Sequence, residues 1–104
     1  MPRTNKTKIA KKEKNDLLYQ AILKLETEEE CYNFFQDLCT IAELRAMEQR
    51  YEVATLLDSG MIYSEILEQT GASSATISRV NRSLINGMGG YESVLEKMKE
   101  QEEK

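Results

Sequence analysis

The string Gly71-Ala-Ser-Ser-Ala-Thr-Ile-Ser-Arg79 leaves this chain few ways to fold around it. Glycine enters the left-handed region without steric cost, so Gly71 can end one helix and turn the chain sharply into the next. Ala72 is small and apolar, as a turn residue packed between two helices has to be. Ser73 is placed to cap the second helix through its hydroxyl. Ile66 before the turn, with Ile77 and Val80 after it, forms an apolar wedge that sets the helix crossing. The spacing therefore predicts a helix-turn-helix over about residues 63–84. Ser73, Ser74, Ala75, Thr76, Ser78, Arg79 and Arg82 fall outside the wedge. Small polar residues and arginines near the start of a second helix suit a major-groove reader of base edges and phosphates, so these seven are the candidate contacts to double-stranded DNA.

The net charge of −4 hides a segregation that favours the same reading. Between Gly71 and Tyr91 the only charged residues are Arg79 and Arg82. Residues 1–14 hold Arg3, Lys6, Lys8, Lys11, Lys12 and Lys14 against the single acid Glu13. The acids gather in Glu28-Glu29-Glu30 and in the tail from Glu100 to Glu103, where they form solvated faces. A local positive face thus persists on an acidic molecule.

The rest of the chain reads as helix. Residues 1–14 have little apolar content and are expected to be a mobile basic arm. Leu17, Leu18, Ala21, Ile22 and Leu25 recur at helical spacing, predicting a first helix from Asn15 or Asp16 to about Glu26. Thr27 with Glu30 has the form of a capping box and opens a second helix over about 28–38, with Tyr32, Phe34, Phe35 and Leu38. Thr40 with Glu43 opens a third, whose stripe of Ile41, Leu44, Met47, Tyr51, Ala54 and Leu57 runs to Gly60. Two shorter helices make the helix-turn-helix, and a sixth from about Gly90 presents Tyr91, Val94, Leu95 and Met98. The expected architecture is all-α with six helices: the arm at 1–14, a folded domain at 15–100 and a charged tail at 101–104.

Composition narrows the function classes. At 40% apolar and 31% charged residues the chain is too apolar for disorder. No apolar run approaches the ~18 residues of a membrane span, and the N-terminal lysines precede no apolar segment, so a cytoplasmic location is expected. Cys31 and Cys39, eight residues apart in a segment that reads as helix, would lie about 12 Å apart, too far for a disulfide within one helix, and read as reduced, half-buried residues. Histidine is absent, no Ser or Cys has a plausible base beside it, and neither a glycine-rich phosphate loop nor metal-ligand spacing occurs. An enzyme, a metal and a cofactor are therefore not expected. A chain of 104 residues buries roughly two-thirds of its unfolded surface. With a surplus of apolar helix faces it is expected to be a homodimer. The alternative from another class is an interaction module docking on a transcription or replication assembly.

Thr40 with Glu43, Arg50, Gly71-Ala72, Ala75-Thr76-Ile77, Arg79 and Ser83-Leu84 resemble the Trp repressor superfamily. Glu30-Cys31-Tyr32, Phe34-Phe35 and Asp37-Leu38-Cys39-Thr40 are similar to the signature of its small YerC/YecD-like branch. The resemblance spans about residues 15–98. It implies an intertwined, all-helical homodimer, with the first three helices and the last building a shared core, and a transcriptional regulator, here read as a repressor.

The resemblance also implies an effector pocket. In tryptophan-responsive members two arginines sandwich the indole and a threonine helps hold the amino acid; the matching positions are Arg50, Arg79 and Thr40, to which Ser83 is added as a candidate. Val80, however, stands where those repressors carry glycine, and Asp37 and Cys39 stand where they carry leucines. A β-branched side chain crowds a planar ligand, and Asp37 repels a ligand carboxylate. L-tryptophan is therefore not the expected effector: Arg50 is expected to pair with a carboxylate such as Glu43 or Glu48, and Arg79 to meet phosphate.

Overall fold

The computed structural model describes residues 15–103. The expected basic arm at 1–14, like Lys104, lies outside the described residues. Six helices and no strand occur among them: α1 (Asp16–Ile22), α2 (Glu28–Leu38), α3 (Ile41–Asp58), α4 (Tyr63–Thr70), α5 (Ser74–Asn86) and α6 (Gly90–Glu103). The all-α architecture is as the sequence predicts. The chain divides after Leu38 into two compact units, Met1–Leu38 and Cys39–Lys104.

In the first unit Asn15 caps α1, its side chain accepting the Leu17 N–H at 3.0 Å. The helix ends at Ile22, four residues short of the Glu26 that apolar spacing suggests. The N–H groups of Lys24 and Leu25 bond three residues back, to the carbonyls of Ala21 (3.0 Å) and Ile22 (3.1 Å), which tightens the chain out of α-geometry. Thr27 then starts α2 by accepting the Glu30 N–H at 3.0 Å. The Glu30 carboxylate takes the N–H of Glu26 at 2.9 Å, one residue beyond the position a capping box uses. Glu28, Glu29 and Glu30 sit in the first turn of α2, where the helix dipole favours negative charge. Phe34 and Phe35 meet edge to face at 5.5 Å. Neither α1 nor α2 has a buried residue, and Leu17 and Leu23 are 76% and 82% exposed.

The second unit is built on α3. Here the capping box is complete: Thr40 Oγ1 accepts the Glu43 N–H at 3.0 Å, and Glu43 Oε1 accepts the Thr40 N–H at 2.9 Å. The helix runs to Asp58, and Gly60 leaves it at φ 92°. Val53 and Ala54 of α3, Ile66 of α4, Ala72 of the turn, and Ile77 and Val80 of α5 form one buried cluster. Leu56, Leu57, Met61, Leu84 and Tyr91 pack around it, partly buried. The stripe expected on α3 is only partly the buried face. Ala54 and Leu44 are buried and Leu57 packs on the cluster, but Ile41 is 61% exposed and the unpredicted Val53 is fully covered. The reason is that α3 carries apolar residues around most of its circumference, so its sequence names no single inner face. On α6, Leu95 is buried, and Lys99 Nζ bonds Asp58 Oδ2 of α3 at 2.9 Å. The sixth helix runs on through the C-terminal charges to Glu103.

Candidate nucleic-acid interface

Helices α4 and α5 and the three residues between them form the helix-turn-helix, and each feature of the turn has a visible cause. Gly71 is the C-cap of α4 at φ 76°, and its N–H bonds the Leu67 carbonyl at 2.9 Å. A β-carbon there would meet nothing within 4 Å, so the backbone angle rather than space demands glycine. Thr70 binds the turn from inside. Its Oγ1 donates to the Ile66 carbonyl at 2.7 Å and accepts the Ala72 N–H at 3.0 Å. From α3, Gln49 Nε2 donates to the Thr70 carbonyl at 3.3 Å. This Gln49–Thr70 clamp escapes sequence reasoning because its two residues are 21 apart and neither belongs to a motif.

Ser73 is the N-cap of α5, accepting the Thr76 N–H at 3.1 Å. Ile77 and Val80 then turn inward and are 0% and 2% exposed, which fixes the orientation of the whole helix. Ala75, Ser78, Arg79 and Arg82, at i, i+3, i+4 and i+7, share the opposite face and are exposed, as are Ser73 and Ser74. Thr76, on the flank, is half-buried. The seven candidate residues are thus brought together at one end and along one side of α5. Arg79 and Arg82 have no hydrogen-bond or ion-pair partner among the described residues, and no acid lies on α5.

The candidate effector residues are not gathered in the same way. Thr40 Oγ1 accepts the Glu43 N–H in the α3 cap. Ser83 is exposed and lines an open groove of about 630 Å³ with Tyr51, Met88, Tyr91 and Val94, a groove that Thr40, Arg50 and Arg79 do not line. Val80 points into the core rather than into a ligand site. The expected pairing of Arg50 with Glu43 or Glu48 is not formed. Glu43 is held by the Thr40 backbone, and Glu48 pairs with Arg45 at 3.0 Å. Residues three apart on a helix are neighbours whereas residues two apart are not, so Glu48 favours Arg45 over Arg50. Arg50 is exposed and has no partner among the described residues.

Among the described residues no group of acids, cysteines or histidines could hold a metal, both cysteines are free, and no helix is long and apolar enough to cross a membrane.

The family model described as Trp repressor protein matches residues 13–99. The uncharacterised protein YerC of Bacillus subtilis (strain 168) is 52% identical over 87 residues, which is 84% of each chain. Among solved structures, a TrpR-like protein from Eubacterium eligens ATCC 27750 is 52% identical, with a TM-score of 0.77 over 80% of this chain and 86% of its own. A protein from Staphylococcus aureus, provisionally assigned as a Trp repressor, is 45% identical, with a TM-score of 0.82 over 89% and 95% of the two chains. Family match, identity and shared fold agree with the order of helices and the turn at Gly71, and the chain belongs to the Trp repressor family, in its YerC-like branch.

Proposed function

We propose that this protein is a sequence-specific DNA-binding transcriptional regulator, a repressor, that acts in the cytoplasm as a homodimer and reads the major groove with α5. The observation that carries this reading is the outer face of α5. Two arginines without a partner among the described residues, and several small polar residues, stand on a helix whose other face is locked into a buried core. Arginine reaches phosphate or guanine, and short side chains let a helix approach base edges closely. In this reading Ser74, Ala75, Thr76 and Ser78 face the groove, and Arg79 and Arg82 anchor it. The family supports regulation rather than catalysis.

The homodimer rests on apolar surface that a single copy leaves open. Leu17 and Leu23 in the first unit, and Ile85, Val94 and Met98 in the second, are 47–82% exposed. For the dimer to enter successive major grooves its two α5 helices have to stand about 34 Å apart. Selection of bound sequences from random duplexes, followed by shift assays at two salt concentrations and light scattering at micromolar protein, tests both parts. The expected result is a two-fold symmetric site, affinity that falls with salt, and a mass of two chains. A monomer that enriches no duplex would refute the reading and favour a docking module for a transcription or replication assembly.

A further inference from the structure

Glycine fixes the backbone on both sides of Met88. A β-carbon on Gly87 would collide with the backbone carbonyl of Ser83, and Gly89 sits at φ 85°, in the left-handed region. Neither position takes another residue without strain. Between them Met88 is 100% exposed, whereas Met47 and Met61 are half-buried. A loop with a constrained shape thus carries a large apolar side chain that its own copy leaves bare.

Met88 stands on the rim of the open groove of about 630 Å³ that Tyr51, Tyr91 and Val94 line. No residue of that lining is charged, nor is any residue from Ser83 to Tyr91. In a two-fold contact each residue near the axis meets its own copy, so a charge placed there is set against a like charge. The neutral groove meets this condition. The second groove, about 410 Å³ between α3 and α6, does not, because Asp58, Lys99 and Glu102 line it. A foreign partner imposes no such condition, so neutrality favours a second copy of this chain. The position of the loop agrees. It follows the C-terminal end of α5, a helix of 13 residues and about 20 Å. Two copies that meet there leave both reading ends free, and twice that length, about 40 Å, is enough for the roughly 34 Å between successive major grooves.

We propose that Met88 of each copy enters the Tyr51–Tyr91–Val94 groove of a second copy, so that the loop from Gly87 to Gly90 is the self-complementary centre of the dimer. This rests on the homodimer reading above and names the contact that makes it. Methionine suits the place, since its unbranched thioether adapts to an irregular groove and packs well at the edge of aromatic rings, here Tyr51 and Tyr91. Ile85 and Val94, exposed in one copy, are covered along with it.

The test is sedimentation equilibrium on the full-length chain. Met88→Ala is expected to weaken dimerisation about 30- to 1,000-fold, since each dimer loses the burial of two side chains. Met88→Leu keeps an apolar side chain of similar size and is expected to stay within about tenfold of wild type. Met88→Asp sets two carboxylates at the axis and is expected to be monomeric at micromolar concentration. Val94→Lys alone also weakens the dimer. An equimolar mixture of Met88→Asp and Val94→Lys chains is expected to form a mixed dimer tighter than either variant forms with itself, because the aspartate of one copy then faces the lysine of the other. Helical circular dichroism checks that each variant is folded. Dimerisation unchanged by Met88→Ala and Met88→Asp, or a mixture no tighter than its components, overturns the inference and leaves the homodimer reading intact. A wild type that is monomeric at micromolar concentration removes both and points to a foreign partner.

Discussion

Replacing Val80 by glycine removes a side chain that is 2% exposed and belongs to the cluster of Val53, Ala54, Ile66, Ala72 and Ile77. Burial of a valine contributes about 1.5–3 kcal/mol. Glycine in place of valine inside a helix costs roughly another 0.5 kcal/mol. The variant should therefore be less stable by about 2–4 kcal/mol, or roughly 10–25 °C in melting temperature for a domain of this size at fixed protein concentration. The same numbers bear on L-tryptophan. A planar ring entering beside α5 in the wild type would have to displace that side chain from a close-packed core, with strain of about 1–3 kcal/mol. Each 1.4 kcal/mol is a factor of ten, so a micromolar site would be weakened about 5- to 150-fold. DNA binding by the wild type is accordingly expected to be the same with and without L-tryptophan at about 1 μM, a concentration at which so weakened a site stays mostly empty. Calorimetry with the amino acid, and a DNA titration in its presence and absence, measure this directly. A saturable heat together with a tenfold or larger gain in DNA affinity would refute the argument and show that the core around Val80 opens easily.

Three further outcomes follow from features of the second unit. Arg79→Ala and Arg82→Ala should each weaken binding to all duplexes alike if the guanidinium meets phosphate, with the salt slope falling by about one per lost contact per subunit; a loss restricted to sites with guanine at one position would assign that arginine to a base instead. Thr70→Val keeps the shape and removes two hydrogen bonds of the turn, leaving the Ala72 N–H unmatched, so thermal or urea unfolding should show a loss of about 1–3 kcal/mol; no loss would mean that the turn is held by Gly71 and the core alone. The hydrogen bond and charge of Asp58 raise the Lys99 pKa above its ordinary value of 10.5, so the stability that this pair provides is present in full below pH 10.5 and is lost as pH climbs through the raised value. Lys99→Met should flatten only that alkaline limb of melting temperature against pH, whereas a change near neutrality would contradict it.

Much of the second unit was legible because its signals are local. Gly71 and Ser73 declare the turn and the cap within three residues, and Thr40 with Glu43 declares the start of α3. Signals that depend on distant partners were not legible. Apolar spacing carried α1 toward Glu26, but Leu23 found nothing to pack on and is largely exposed. On α3, periodicity could not rank several apolar faces, and only the docking of α4 and α5 selects Val53 with Ala54. For Arg50 the sequence offered two acids and could not show that each already had another partner. The candidate DNA face was visible as an absence of acids between Gly71 and Tyr91, a property of a stretch rather than of any single residue.

The contact between Gln49 and the carbonyl of Thr70 makes the turn answerable to α3. If α3 rotated about its axis, this bond would carry the movement to the turn of the proposed reading head. In the proposed dimer such a displacement would alter the distance between the two heads while leaving the side chains on each unchanged. Variation at position 49 would then retune the number of base pairs separating two half-sites without rewriting the half-sites themselves. The spacing a regulator tolerates and the letters it reads would be inherited through different residues, free to change one at a time.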